Sequence, residues 1–433
     1  MTDILITGAG AEGVGVPLHP AWMATQGKDA VPMSKPAFRE LVTAFLRDKM
    51  GVLAARYGVD SEEYRALARQ YIQSPEESLP TEESNLRHYE ADVATAGGEM
   101  PWPGVERLYR RTLVVEPTLA CAAHCRYCIR ANYLPHNLSE EELREIARYC
   151  GEGKNREELT ELLVTGGDPL LAPDRVGYFI RCLIERAPNI RVVRLATRIP
   201  MQAPELVTED VLRLFEKRSG LRFELATQIN HRVELFDEVV AALQRIMERE
   251  VRIYAQNVLL QGVNDRIETL IDLYDSLRQL GIEAHYLFHC VPLKGMGHLR
   301  TTLRRAVELG SALTCSGAVS GRAKPMLAAM TDIGKIVLYD GVVLGCERRH
   351  VLLQSKYHVE DRRRWNPGWQ IPKTAEVDRS GCLRVWYLDG EETAVLTPQR
   401  PSLQRLRREP MSAQSELLRP RRIRPSSLIQ HCG

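Results

Sequence analysis

The 433-residue chain lacks several features that would place it quickly. It has no excess of either charge. Its 58 Lys and Arg face 56 Asp and Glu, a net charge of +2, which argues against bulk nucleic-acid binding. Its opening, Met1-Thr-Asp-Ile-Leu-Ile-Thr-Gly8, has neither a basic segment nor a long apolar run, so no secretory leader is expected. No stretch approaches the length of a membrane span. A paired cysteine framework is also missing. Of 10 cysteines, three are clustered and seven, at 150, 182, 290, 315, 346, 382 and 432, are scattered and odd in number. A reducing, cytoplasmic setting is therefore expected. Gly8, Gly10 and Gly13 spell G-x-G-x-x-G, but Pro17 and Pro20 follow at once. A dinucleotide fingerprint needs a helix to start at those glycines, and proline this early opposes one. The segment reads as a glycine-rich entry, with nicotinamide binding a poor second.

What is present is concentrated in one short run. Cys121, Cys125 and Cys128 stand in Cys-Ala-Ala-His-Cys-Arg-Tyr-Cys, a C-x3-C-x2-C spacing. Three thiolates this close can hold three corners of a cubic iron–sulfur cluster and leave the fourth iron without a protein ligand. An iron with an open position is a place for chemistry. The small molecule that usually fills it is S-adenosylmethionine, through its amino and carboxylate groups. The bland alternatives are a zinc knuckle or a chance cluster of core cysteines. A structural zinc needs a fourth ligand, and His124 lies too close between the cysteines to close a tetrahedron comfortably.

The length suits two or three domains. Residues 1–105 read as a helical N-terminal region, with helix over about 34–75: Phe38, Leu41, Val42 and Phe45 share one face, and Tyr64, Leu67 and Ala68 repeat the pattern. Residues 106–341 alternate short β-rich runs with amphipathic stretches. The strand candidates are 113–115, 162–164, 192–195, 223–226, 253–257 and 284–288. Ser139 with Glu142 forms a capping box ahead of Leu143, Ile146, Ala147 and Cys150. Six such units imply an α/β fold, a partial (β/α)6 parallel barrel, with reactive groups at the C-terminal ends of its strands. The cysteine loop begins just past the first strand. Residues 342–433 read as a small β-containing C-terminal appendage, ending in a basic tail with eight arginines between Arg400 and Arg424. Solvation is the better reading of that tail than nucleic-acid binding.

Two further loops follow strands. After the second strand comes Thr165-Gly166-Gly167-Asp168-Pro169. Its glycines permit close backbone approach to a ligand, and its amides and carbonyls suit the charged amino-acid end of a cofactor; a plain strand-to-helix turn is the alternative. Gln256 and Asn257, late on the fifth strand, suit ribose or adenine contacts, or are satisfied core amides.

The cysteine loop, the Gly-Gly-Asp turn and the six-unit pattern resemble the radical S-adenosylmethionine (SAM) superfamily. The likeness extends to the lysine 2,3-aminomutase family through Cys-Arg-Tyr-Cys-Ile-Arg at 125–130, Val164-Thr-Gly-Gly-Asp-Pro-Leu170, Arg198-Ile-Pro200 with Pro204, Asn230-His231, the run 256–265 and His298-Leu-Arg-Thr301. The resemblance implies a 4Fe-4S cluster that, once reduced by a flavodoxin or ferredoxin, splits SAM. The resulting 5′-deoxyadenosyl radical then takes a hydrogen atom from a small amino-acid-like substrate. It also implies pyridoxal 5′-phosphate, which carries the substrate amine as an imine and is itself anchored by a lysine. Ser320-Gly-Arg-Ala-Lys-Pro325 matches the lead-in to that lysine, and Thr331-Asp-Ile-Gly-Lys335 offers Lys335 as the anchor, with Lys324 second. A plain hairpin over 335–341 is the competing reading. Arg130 matches the arginine that holds a substrate carboxylate, and Arg110 and Arg111 beside Tyr109 can meet a cofactor phosphate or be surface charges.

The departures from the family concern substrate. Val291 stands where lysine-specific enzymes place an aspartate, and the second aspartate has no counterpart except a displaced Asp332. A distal ammonium buried there would be unpaired, so lysine is not implied. His289 and His298 read as substrate contacts or as hydrogen-bonded structural histidines. Two other functions stay open: a radical SAM enzyme without pyridoxal phosphate performing another isomerisation, elimination or dehydrogenation, and an iron–sulfur redox or scaffold protein without turnover. A homo-oligomer is compatible with all three.

Overall fold

Apolar residues at alternate positions, in runs of five to eight residues, are laid down as the strands of one curled sheet. The computed structural model describes residues 39–79, 102–107, 109–130, 136–315, 317–339, 341–366 and 368–390. The glycine-rich entry, Phe38 and the basic tail lie outside the described residues. The sheet has nine strands in sequence order: β1 (Val105–Glu106), β2 (Thr112–Thr118), β3 (Glu161–Gly166), β4 (Val192–Ala196), β5 (Arg222–Thr227), β6 (Arg252–Leu259), β7 (Glu283–His289), β8 (Met326–Thr331) and β9 (Gly334–Val337). From β2 to β8 every neighbour is parallel. β1 and β9 add antiparallel edges. All six expected strands are present in a half-barrel. β8 is a seventh parallel strand that the sequence reading placed in a cofactor loop. Its Met-Leu-Ala-Ala-Met-Thr carries little β propensity, and pairing with β7 on one side and β9 on the other makes it a strand.

Leu113, Val115, Leu162, Val164, Val193 and Leu195 join the core against the helices. The intervening phase, including Arg194, Glu224, Tyr254 and Tyr286, falls on the concave face. The helix Glu140–Gly151 starts with the expected capping box: Glu142 N donates to Ser139 Oγ at 3.2 Å, and Ser139 N donates to the Glu142 carboxylate at 2.7 Å. The N-terminal region is two helices, Ala44–Tyr57 and Glu62–Tyr71, rather than one stretch. Gly58, at φ 89°, ends the first. Their apolar faces (Leu46, Leu53, Leu67, Tyr71) close over Ala123 in the cysteine loop.

The C-terminal residues form a second, antiparallel sheet from β10 (Val343–Glu347), β11 (His350–His358), β12 (Ala375–Val377) and β13 (Cys382–Leu388), in the order β10-β11-β13-β12, with a helix at Val359–Trp365. Val351, Leu353, Trp369 and Tyr387 share a core with Ile333 and Ile336 of the β8–β9 hairpin. Among the described residues, no helix is long and apolar enough to cross a membrane.

Candidate active site

The cysteine loop leaves the C-terminal end of β2 and is held there by the next loop. Gly167 N donates to Thr118 O at 2.8 Å, and Asp168 N donates to Ala120 O at 2.7 Å. Gly166 sits at φ +110°, and a Cβ there would lie 2.3 Å from Thr118 O. A Cβ on Gly167 would lie 2.1 Å from Ala120 O. Both glycines are thus required by one backbone passing another. The close approach expected of them is to the cysteine loop, and two of the amides expected to meet a cofactor are spent on it. Thr165 is buried at the end of β3. Asp168 is buried as well, and its carboxylate ties the turn to the loop after β4. It accepts from Thr197 Oγ1 at 2.7 and 2.8 Å, Arg198 N at 2.7 Å, Ile199 N at 3.2 Å and Leu170 N at 3.1 Å. Burial outweighs these bonds and lifts its pKa to about 6.

Cys121, Cys125 and Cys128 are free thiols, each half-buried. Burial, then their mutual proximity, pushes Cys121 and Cys128 up, Cys128 to about 11. Ligation to a cationic cluster reverses that by removing the protons. Arg198 Nη1 lies 3.0 Å and Gln202 Nε2 3.3 Å from Cys125 Sγ. His124 is turned away, its Nδ1 2.7 Å from Arg39 O. A cubane keeps its three thiolates at separate corners. Three unpaired thiols on one loop, with N–H donors aimed at one of them, fit that donor set.

The sequence reading gave Arg198 no role, yet it joins this loop to the buried interior. Its guanidinium also donates to Gln70 Oε1 at 3.2 Å and closely to Tyr127 OH and Glu234. Asn230 Nδ2 donates to Tyr127 OH at 2.7 Å. The signal was the runs Arg198-Ile-Pro200 and Asn230-His231, which follow β4 and β5.

A second group gathers near the same edge of the sheet. Lys335 lies on the second strand of the β8–β9 hairpin, opposite Met330, one residue before the end of β8. The hairpin turns at Asp332-Ile333, so Lys335 is on its second strand and not, as in the competing reading, on the first strand of a hairpin over 335–341. The Lys335 ammonium sits 4.0 Å from the Tyr286 ring centroid and 5.2 Å from that of Phe288. Burial, aided by Arg194, lowers its pKa to about 8. The wall continues through His285, 4.0 Å from the Tyr286 ring, and Gln256 Nε2, 3.2 Å from His285 Nδ1. Burial and the two cations drop His285 to about 4, so it is neutral. Arg194 caps the wall, 5.4 Å from the Tyr254 ring and paired with Glu224 at 2.6 Å.

The remaining candidates separate. Asn257 is fully buried in the strand phase of Ile253 and Ala255, which faces the helices; its Oδ1 accepts from Ile229 N at 2.9 Å, while its Nδ2 has no hydrogen-bond partner among the described residues. Lys324 stands before β8, at the end of the sheet opposite the cysteine loop. Arg130 is engaged closely by the fully buried Glu116, whose Oε2 accepts no hydrogen bond. Burial and Glu116 together raise neighbouring Glu106 to about 7, with Arg130 opposing. Arg111 donates to the carbonyls of Glu157 and Glu158 at 3.0 and 3.2 Å, and Arg110 lies 3.9 Å from the Glu158 carboxylate. His289 is structural: buried, it bonds Tyr387 OH at 3.0 Å and Thr301 O at 2.8 Å. Asp332 accepts from Thr374, and Val291 is buried.

A sequence model of the Radical SAM superfamily matches residues 115–274, from within β2 through the cysteine loop and onward. An Aquifex aeolicus (strain VF5) protein named "Putative L-lysine 2,3-aminomutase" is 31% identical over 299 residues, covering 69% of this chain and 75% of that relative. The chain belongs to the radical SAM superfamily, in its lysine 2,3-aminomutase-like family. Clostridium subterminale L-lysine 2,3-aminomutase is 26% identical over 259 residues, covering 59% of this chain and 61% of its own. Among solved structures, a radical SAM methyltransferase from Sphaerobacter thermophilus matches 70% of this chain and 96% of its own, at 17% identity and a TM-score of 0.40, too low to argue from. Membership of the radical SAM superfamily implies a 4Fe-4S cluster and SAM as cofactors.

Proposed function

We propose that Cys121, Cys125 and Cys128 hold the cluster of this radical SAM enzyme, and that it is an isomerase of the aminomutase kind acting on a small amino acid. The observation that carries the second part is Lys335, a lysine at the C-terminal edge of the sheet whose ammonium is packed on the Tyr286 and Phe288 rings. With a pKa of about 8, a useful fraction of this amine is neutral and nucleophilic at physiological pH. Pyridoxal phosphate bound there would supply a carbonyl that tethers a substrate amino group. The cluster and SAM supply the radical that opens the substrate C–H bond. The Gly166-Gly167-Asp168 turn fixes the cysteine loop; with two of its amides spent there and the Asp168 carbonyl accepting from Leu171 N at 3.1 Å, the glycine carbonyls serve the ammonium of SAM. Gln256 and neutral His285 offer polar edges along the concave wall. Arg130 serves a substrate carboxylate by exchanging its contact with Glu116 for it. Lysine is not assigned as the substrate, because Val291 is apolar and Asp332 already accepts from Thr374. A flavodoxin or ferredoxin supplies the electron.

The engagement of Arg130 by Glu116 favours one other reading, a radical SAM isomerase that does without pyridoxal phosphate. Anaerobic reconstitution separates the two, with iron, sulfide and pyridoxal measured together after borohydride reduction. The aminomutase reading expects a reduced pyridoxyl adduct on Lys335. A cluster-loaded protein with no lysine adduct would leave only the second reading.

A further inference from the structure

The β8–β9 hairpin is gripped from outside the barrel. Lys335 N donates to Tyr109 OH at 3.3 Å, and Tyr357 OH donates closely to Lys335 O. Arg362 Nη2 donates to Ile333 O at 2.6 Å. Arg362 is 2% exposed, with its guanidinium 4.2 Å from the Tyr357 ring centroid and 5.6 Å from that of Tyr109. The two tyrosine rings meet edge to face at 6.2 Å. Gly334, between the gripped carbonyl and the lysine, has φ +105°, and a Cβ there would lie 3.1 Å from Arg362 Nη2 and 3.4 Å from Tyr109 OH. Thr374 donates to Asp332 at the hairpin tip. Tyr357, Arg362 and Thr374 all belong to the C-terminal unit, so three of its side chains hold a four-residue segment that ends in the lysine.

We propose that the C-terminal unit is a positioning device for Lys335, with Tyr357 and Arg362 as positioning residues that press its amine onto the rings of β7. The inference rests on the reading of Lys335 as the carbonyl-binding lysine. Each acts through the hairpin backbone. A hydrogen bond from a buried guanidinium to a carbonyl, backed by two aromatic faces, fixes the turn more tightly than an edge strand of four residues can fix itself. The lowered pKa of Lys335 is the chemical consequence. Its amine stays desolvated only while the strand is held down.

The test uses the full-length protein, pyridoxal phosphate as probe and borohydride to trap the adduct. Labelling at Lys335 is mapped by peptide mass spectrometry across a pH series. In the wild type, labelling should rise with a midpoint near 8, because the reactive form is the unprotonated amine. In Tyr357→Phe and Arg362→Met, the midpoint should move up by about one unit, about 10-fold less labelling well below the midpoint. Arg362→Lys, which keeps a cation and a donor, should recover part of the shift. Tyr357→Phe removes one hydroxyl only and carries the test if Arg362→Met does not fold. Lys335 labelled with the wild-type midpoint in the variants, even with lowered melting temperatures, would overturn the positioning role and leave the lysine reading intact. A wild type unlabelled at Lys335 would overturn both.

Discussion

The two chemical ends of this molecule are secured in different ways. The cysteine loop is fastened within the first 234 residues: the Gly167 and Asp168 amides hold its backbone, Leu41 O and Gln70 O accept from His124 N and Arg126 N at 2.8 Å, and the buried Arg198 reaches its central thiol while pairing with Glu234. The lysine hairpin is an edge of the same sheet and is fastened from the C-terminal unit, by Tyr357 of β11 and Arg362 of the helix after it. The difference teaches that cluster loading and lysine reactivity are separable properties. A change at one end should leave the other standing.

The largest separation is expected from Lys335→Ala. It should abolish pyridoxyl labelling at that position while iron and sulfide content stay at the wild-type level. Loss of iron in this variant would show the ends to be coupled. Arg198→Met comes next. It removes the cation paired with buried Glu234, whose Oε1 still accepts from Asn230 N, His231 N and Gln70 Nε2, and should cost about 1–3 kcal/mol, to be read from denaturant unfolding of the metal-free protein. A cost under about 1 kcal/mol would mean that the buried pair is solvated in practice. Gly167→Ala is expected to act more locally. With Ala120 O only 2.1 Å from the new Cβ, the cysteine loop must shift. Iron retention against a chelator should fall about 10-fold, the scale of a lost supporting contact, with Lys335 labelling unchanged. Wild-type iron retention would show that the loop tolerates the displacement. Ser139→Ala, at the N-cap of the helix Glu140–Gly151, should cost about 1 kcal/mol of stability and alter neither property.

Much of the scaffold could be read directly from the chain because its signals are local. Period-two runs marked six strands, and Ser139 with Glu142 marked a helix start. β8 escaped because its two alanines carry no local strand signal, and its neighbours on both sides decide its conformation. The glycines of the Gly-Gly-Asp turn announced a close approach but not its partner, since Thr118 and Ala120 lie at the end of β2 and in the loop after it. The partners of Arg198 were invisible for a related reason: Gln70, Tyr127 and Glu234 are 128, 71 and 36 residues away. The fate of Gln256 and Asn257 was closer to hand. Strand alternation alone puts one on the concave wall and the other among the helices. The grip on Lys335 required the C-terminal sheet, whose contact with the hairpin no spacing rule reports.

The claim that most depends on measurement is that the three-thiol loop holds the radical-generating cluster. Wild type and Cys125→Ala should be reconstituted anaerobically side by side, with iron, sulfide and 5′-deoxyadenosine quantified after adding reductant and SAM. The expected result is about four irons per wild-type chain together with 5′-deoxyadenosine, and neither in the variant. Equal iron and equal 5′-deoxyadenosine in the two proteins would contradict it.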